Sequence, residues 1–316
     1  MSLIRLENIQ KSFEMKKSFF SKSKQVEVLS AITLQIQPGE TLGLVGESGC
    51  GKSTLGKLMI RLIEPTSGRV FFKGQDVSHL SSRLLRPLRK QMQMIFQAPG
   101  ASLNPHMNVE ALMCEPLNIH QPEASIEEKK EKISHLLSLC GLRSEILSRY
   151  PHQCSGGQKQ RICIARALAV HPDFLVCDEP VSALDVSIQA QIINLMRSLQ
   201  DTLGLTYLFI SHNLRLVQYF STRVVVMYLG RIVEQASVQQ LYQNPRHPYT
   251  RALFAAMPSL SQRKKYLPLG EPASIFDLPS GCHFHPRCPM AQSRCQVEAP
   301  LLRKDSSGSE VACHYA

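Results

Sequence analysis

The sequence contains no apolar run of the roughly 18–20 residues needed to cross a bilayer. Its opening, MSLIRLENIQKSF, also lacks the apolar stretch that forms the heart of a secretory signal. These absences argue against an integral membrane protein. They predict a cytosolic chain that meets a membrane only through a partner. No internal repeat is present, and no long low-complexity tract. Acidic side chains are in deficit, 25 Asp and Glu against 36 Lys and Arg, for a formal charge of +11. That balance suits phosphate ligands, nucleic acid or an anionic membrane face, and an ordinary solvated basic surface accounts for it equally well. The lysine-rich MKKSFFSKSK (15–24), with Phe19 and Phe20, reads as a loop between two strands in preference to a lipid contact.

Cysteine, by contrast, is plentiful, with ten in the chain. In a cytosolic protein this argues against a disulfide framework. Cys50, Cys114, Cys140, Cys154, Cys163 and Cys177 are scattered and read as small apolar side chains. Cys282, Cys288, Cys295 and Cys313 are crowded instead, with the spacing C-x5-C-x6-C-x17-C. The chain before them, YLPLGEPASIFDLPSG (266–281), is broken by proline and glycine and cannot form a regular element. So short a segment has no core of its own, and a metal ion or cluster would supply its order. Structural zinc sites favour C-x2–4-C pairs, and ferredoxin runs are tighter, so spacing alone names no metal.

At 316 residues the chain has room for one large domain with a smaller appendage. Strand-like alternation fills the first forty residues (LIRLENI, VEVLSAITLQIQPGE). Further strands are predicted at TLGLV (41–45), GRVFFKG (68–74), QMQMIFQ (91–97), FLVCD (174–178), LTYLFIS (205–211) and TRVVVMYLGRIVEQ (222–235). Residues 101–160 read as helical and charged, and helices separate the later strands. The alternation predicts a mostly parallel α/β sheet. The expected division is an α/β core at 1–100 and 161–240, a helical subdomain at 101–160, and a C-terminal domain at 241–316.

GESGCGKST comprises Gly46, Glu47, Ser48, Gly49, Cys50, Gly51, Lys52, Ser53 and Thr54, and fits G-x-x-x-x-G-K-[ST] between a strand and a helix. Glycines let backbone N–H groups and a helix N-terminus wrap closely around phosphates. Lys52 is expected to reach the β- and γ-phosphates and Ser53 to ligate Mg²⁺. Asp178 ends an apolar strand where ligands bind in open α/β sheets, which suits a Mg²⁺ partner acting through water. Glu179 follows as the candidate general base. CSGGQKQRICIARAL (154–168) places Ser155, Gly156, Gly157 and Gln158 at a second anion-binding helix start. Two such starts with one lysine-bearing loop predict two copies sharing sites.

With these motifs in this order, the chain resembles the nucleotide-binding subunits of ABC transporters over about residues 3–240. The resemblance implies a P-loop NTPase (RecA-like) core with an inserted helical signature subdomain. It implies two such domains sandwiching two ATPs, with Ser155, Gly156 and Gly157 of one facing the phosphate loop of the other. It assigns Phe96 and Gln97 to the Q-loop, with Gln97 touching Mg²⁺. Asp185, in SALD, falls in the D-loop, and His212, in SHN, contacts the γ-phosphate. Phe13 stands where the family stacks a ring on adenine, and a core position in an early strand is its other reading. Two departures are Cys154, where Leu or Phe is usual, and Asn213, where Asp is usual.

NPRHPYTRAL (244–253), YPHQCSGGQ and the cysteine tail resemble one branch, the ATPase subunits of bacterial oligopeptide and dipeptide importers, of the F type. The resemblance implies a homologous but different ATPase partner, two permease subunits and an extracytoplasmic binding protein. It implies a [4Fe–4S] cluster on Cys282, Cys288, Cys295 and Cys313, with zinc second and metal-free thiols third. His283, His285 and His314 are alternative ligands or bystanders. Such a cluster has no obvious part in hydrolysis and is expected to be structural or redox-sensing, so that Cys288→Ser loses any metal and loosens residues 280–316 while leaving nucleotide affinity largely intact. The competing assignments are a nickel or other small-solute importer and, from another class, a soluble nucleic-acid-handling ABC ATPase.

Overall fold

The computed structural model describes residues 1–15, 24–256, 274–305 and 308–316. The basic segment at 15–24 lies almost wholly outside this range, as do the first eight residues of the 266–281 stretch. The chain divides into two compact units, one of Met1–His79 with Ser211–Ala316 and one of Leu80–Ile210.

The first unit holds an antiparallel sheet in the order Lys24–Ile36, Ile4–Met15, Ser67–Phe72, Gln75–Asp76. Period-two alternation sends Ile4, Leu6, Leu34 and Ile36 to one buried face. A second set of strands carries the loop of interest. Thr41–Val45 is buried throughout and runs parallel to Arg223–Tyr228. Burial on both faces explains why this strand is apolar without alternation.

The stretch 222–235, read from sequence as one strand, is instead a hairpin of Arg223–Tyr228 and Arg231–Ser237. Leu229 and Gly230 turn it with φ of 41° and 77°. Two consecutive positive φ values define the tight turn that matches strand twist. Leucine at the first position disguises it, because Asn or Asp is the usual occupant. Late in the chain, Glu310–Val311 adds to the edge of Arg231–Ser237, with Arg303–Lys304 beyond it.

The second unit is built on three parallel strands, Met92–Ile95, Phe174–Asp178 and Thr206–Ile210. Between the first two lie only helices and turns, chiefly Val109–His120, Ile126–Leu139 and Gly156–Leu168. Their ends are locally encoded. Ser125 and Glu128 form a reciprocal capping box, and Asn108 accepts from the Ala111 N–H. Each helix buries an apolar stripe, for example Ile133, Leu136 and Leu137. The long helix Val186–Leu203 runs from an Asp185 cap to Gly204, at φ 67°.

Candidate active site

In the first unit, the glycine-rich loop joins strand Thr41–Val45 to helix Lys52–Met59. The Lys52 ammonium is buried and donates to the carbonyls of Gly46 and Glu47, both at 2.8 Å. The loop thus holds a cation over its own backbone, where a phosphate oxygen would meet it. Ser53 and Thr54 are half-buried in the first helical turn, while Ser48 and Gly49 are exposed. Cys50 is buried beneath the loop, and burial pushes its thiol up in pKa. Its carbonyl accepts the Gly230 N–H at 3.0 Å, tying the loop to the hairpin turn.

Gly46 leaves no room for a side chain, since a Cβ there would lie 2.2 Å from the Met227 carbonyl oxygen. Gly46→Ala is therefore expected to cost ~1–3 kcal/mol of stability, read as a lowered denaturant midpoint at unchanged slope.

Glu47 is used differently from its loop neighbours. Its N–H donates to the Tyr249 hydroxyl at 2.8 Å, and its carboxylate accepts from Arg287 Nη1 at 2.9 and 3.0 Å. The N–H and the carboxylate of this loop residue are thus directed to the C-terminal segment, contacts that sequence reasoning missed.

In the second unit, Asp178 is buried at the C-terminal end of its strand. Glu179 follows at φ 46°, a left-handed conformation that costs a bulky residue on the order of 1–3 kcal/mol. It is held there from both sides. Its N–H donates to the Ile210 carbonyl at 2.9 Å, and its own carbonyl accepts from the Ser182 N–H at 3.3 Å. Gln97, just past strand Met92–Ile95, donates from its side-chain amide to the Glu179 carboxylate at 3.1 Å. Two residues 82 positions apart, singled out independently, are thereby brought together.

The second helix start lies in the same unit. Ser155 caps helix Gly156–Leu168, its Oγ accepting the Gln158 N–H at 3.3 Å while Gln158 Oε1 accepts the Ser155 N–H at 3.0 Å. Gln158 thus serves the cap. An accepting hydroxyl retains a proton to donate, and Ser155 is exposed. Gly157 has a packing duty as well, because a Cβ there would lie 2.9 Å from Ile188. Cys154 is buried, as expected of an apolar substitute. Asp185 is exposed and caps its own helix, accepting from the Ile188 N–H and the Ser187 hydroxyl. The Ser187 hydrogen bond lowers its pKa.

Phe13 is 39% exposed on strand Ile4–Met15, with Lys11 over its ring at 4.9 Å, so the core reading does not apply. His212 is exposed after Ser211, whose N–H reaches the Leu44 carbonyl. Asn213 caps the following helix, accepting from the N–H groups of Arg215 and Leu216. Asn caps about as well as Asp, which accounts for the departure at this position.

The four tail cysteines line one small cavity, together with His247, Phe284, His285 and His314. Burial, and after it a backbone hydrogen bond and the other three thiols, set the Cys282 pKa, pushed up to about 11. Burial likewise raises Cys288 and Cys313. Among the described residues, no group of three or more His, Cys, Asp and Glu side chains is arranged to hold a metal ion. His283 faces away, its Nδ1 3.1 Å from the Leu229 carbonyl oxygen. His285 and His314 are bonded to the carbonyls of Cys282 and Glu298.

A strand–loop–helix cradle with a buried lysine, an apolar strand ending in Asp-Glu, and a serine-capped glycine helix start together define a P-loop ATPase of the cassette type. The chain belongs to the ABC transporter family: residues 29–182 match it, and residues 233–295 match the oligopeptide/dipeptide transporter C-terminal region. Over 99% of its length it is 46% identical to the oligopeptide transport ATP-binding protein AppF of Bacillus subtilis, covering 97% of that protein. It is 45% identical to the dipeptide transport ATP-binding protein DppF of Haemophilus influenzae, over 99% of this chain and 96% of that one. Among solved structures it is similar to the dimeric bacterial ABC transporter cassette MJ0796, with a TM-score of 0.67 and 28% identity. That match covers 74% of this chain and 98% of the other. The chain is an ATPase coupled to transport, and among its described residues no helix is long and apolar enough to cross a membrane.

Proposed function

We propose that this chain hydrolyses ATP to drive the import of oligopeptides or dipeptides, as one of two homologous but different cassettes docked on two permease subunits. The observation that carries the peptide assignment is the near full-length identity to peptide transport ATP-binding proteins, with the matched C-terminal region. An extracytoplasmic binding protein would deliver the cargo, and the cassettes would work at the cytoplasmic face of the membrane.

In this reading residues 1–100 and 161–240 form the nucleotide-binding core, 101–160 the signature subdomain and 241–316 the appended domain. Lys52 and the loop amides bind the β- and γ-phosphates, and Phe13 stacks on adenine. Ser53, Asp178 and Gln97 serve Mg²⁺, Glu179 polarises the attacking water, and His212 meets the γ-phosphate. Ser155, Gly156 and Gly157 complete the partner's site, with Asp185 beside them. Deleting the gene should abolish uptake of labelled di- and oligopeptides while sparing nickel. Loss of nickel uptake with peptide uptake intact would overturn the cargo.

We also propose an iron–sulfur cluster on Cys282, Cys288, Cys295 and Cys313, the resemblance to the peptide-importer branch being what favours it. The four cysteines line one small cavity, and a single zinc ion would need their sulfurs drawn in to about 2.3 Å. A cluster is a larger body with four thiolate ligands. Bound there, it would be held by the four cysteines as thiolates and would supply order to the segment. Anaerobic purification should give about four irons and four sulfides per chain, lost in Cys288→Ser. One zinc per chain would overturn the cluster.

A further inference from the structure

The HPYT stretch, unexplained by the nucleotide chemistry, has a structural logic. His247 caps helix Pro248–Ala255, its Nδ1 accepting the Tyr249 N–H at 3.0 Å, and Pro248 occupies the first turn. This fixes Tyr249, which is 1% exposed, with its hydroxyl on the Glu47 N–H. Arg287 approaches the same residue from the tail. Its guanidinium is almost wholly buried, bridges both Glu47 carboxylate oxygens, and lies within 5.9 Å of the Tyr228 and Phe284 ring centres. Tyr228, Tyr249 and Phe284 pack on one another at 4.6 to 5.4 Å. Phe284 and His247 also line the cysteine cavity.

We infer that Tyr249 and Arg287 clamp Glu47 and so position the phosphate loop for ATP, making them positioning residues for nucleotide binding. The loop must present its N–H groups along one curve, and each end of that curve needs an anchor. Glu47 is the anchor at the start, because neither its N–H nor its carboxylate is directed to the ligand side. A buried, desolvated cation on a loop carboxylate gives a fixed geometry that a surface pair does not. Arg287 is the chain neighbour of Cys288, so the clamp would link the cysteine segment to the phosphate loop.

The test uses the purified full-length chain and a fluorescent ATP analogue with Mg²⁺. Arg287→Met should weaken binding about tenfold, and Tyr249→Phe, which removes one oxygen and keeps the ring, about threefold. Arg287→Lys should restore most of the affinity, because a single nitrogen makes both contacts. Glu47→Gln should weaken binding as Arg287→Met does, and the double variant should be no worse than either. In the permease complex KM for ATP should rise in proportion with kcat unchanged. Amide exchange at residues 46–52 should quicken. Affinities within twofold of the unaltered chain for both Arg287→Met and Tyr249→Phe would overturn the clamp, as would fully additive effects in the double variant. If Arg287→Met does not fold, Tyr249→Phe decides alone. The inference rests on the loop binding ATP, and failure of that reading would appear separately, as no binding by the unaltered chain.

Discussion

Glu179→Gln is expected to bind ATP as the unaltered chain does and to hydrolyse it ~10²–10⁴-fold more slowly, the range associated with loss of a positioned general base. The substitution preserves shape, and the backbone that holds residue 179 does not depend on the side chain. The N–H to the Ile210 carbonyl and the carbonyl contact from Ser182 both remain. The amide of Gln97 can still donate to a side-chain oxygen at this position. What disappears is the carboxylate, and with it the means of accepting a proton from water. ATPase turnover in the permease complex, set beside equilibrium ATP binding, separates the two effects. Near-normal turnover with normal binding would remove Glu179 from its role.

Lys52→Ala should act at the earlier step, abolishing detectable nucleotide affinity at ordinary concentrations and lowering turnover ~10²–10³-fold. The ammonium is buried and held by two carbonyls, so its removal takes from the loop the cation positioned there to meet a phosphate. Lys52→Arg should not rescue, because the planar fork needs more room than a point charge on a flexible stem. Titration with the same fluorescent analogue, alongside a thermal melt, distinguishes lost affinity from lost fold. Retained affinity within threefold would mean that the backbone N–H groups alone carry the phosphates.

Local signals carried much of the fold. FLVCD is an apolar run of strand length ending in Asp178, and the strand occupies Phe174–Asp178. The phosphate loop is bounded by a strand and a helix that its own residues encode. Less visible were features whose meaning depends on a partner elsewhere. Asn213, a departure where Asp is usual, proved to be a helix cap. The 222–235 stretch concealed a turn, because Leu229 adopts a positive φ that its residue type disfavours. Nothing near GESGCGKST hints that its second residue is paired with an arginine 240 positions away. A contact at that separation leaves no periodicity to read.

That separation has a consequence for how the protein is made. A ribosome adding about 5–20 residues per second completes the phosphate loop roughly 12–48 s before Arg287 is polymerised. During that interval the nascent chain carries a glycine-rich loop without its distal anchor. Strand Arg231–Ser237 likewise waits for Glu310–Val311 to cover its edge. Nucleotide binding should therefore mature late in synthesis, after the C-terminal segment has emerged, so that prematurely released chains reach the cell's ATP pool with their binding loop unbraced.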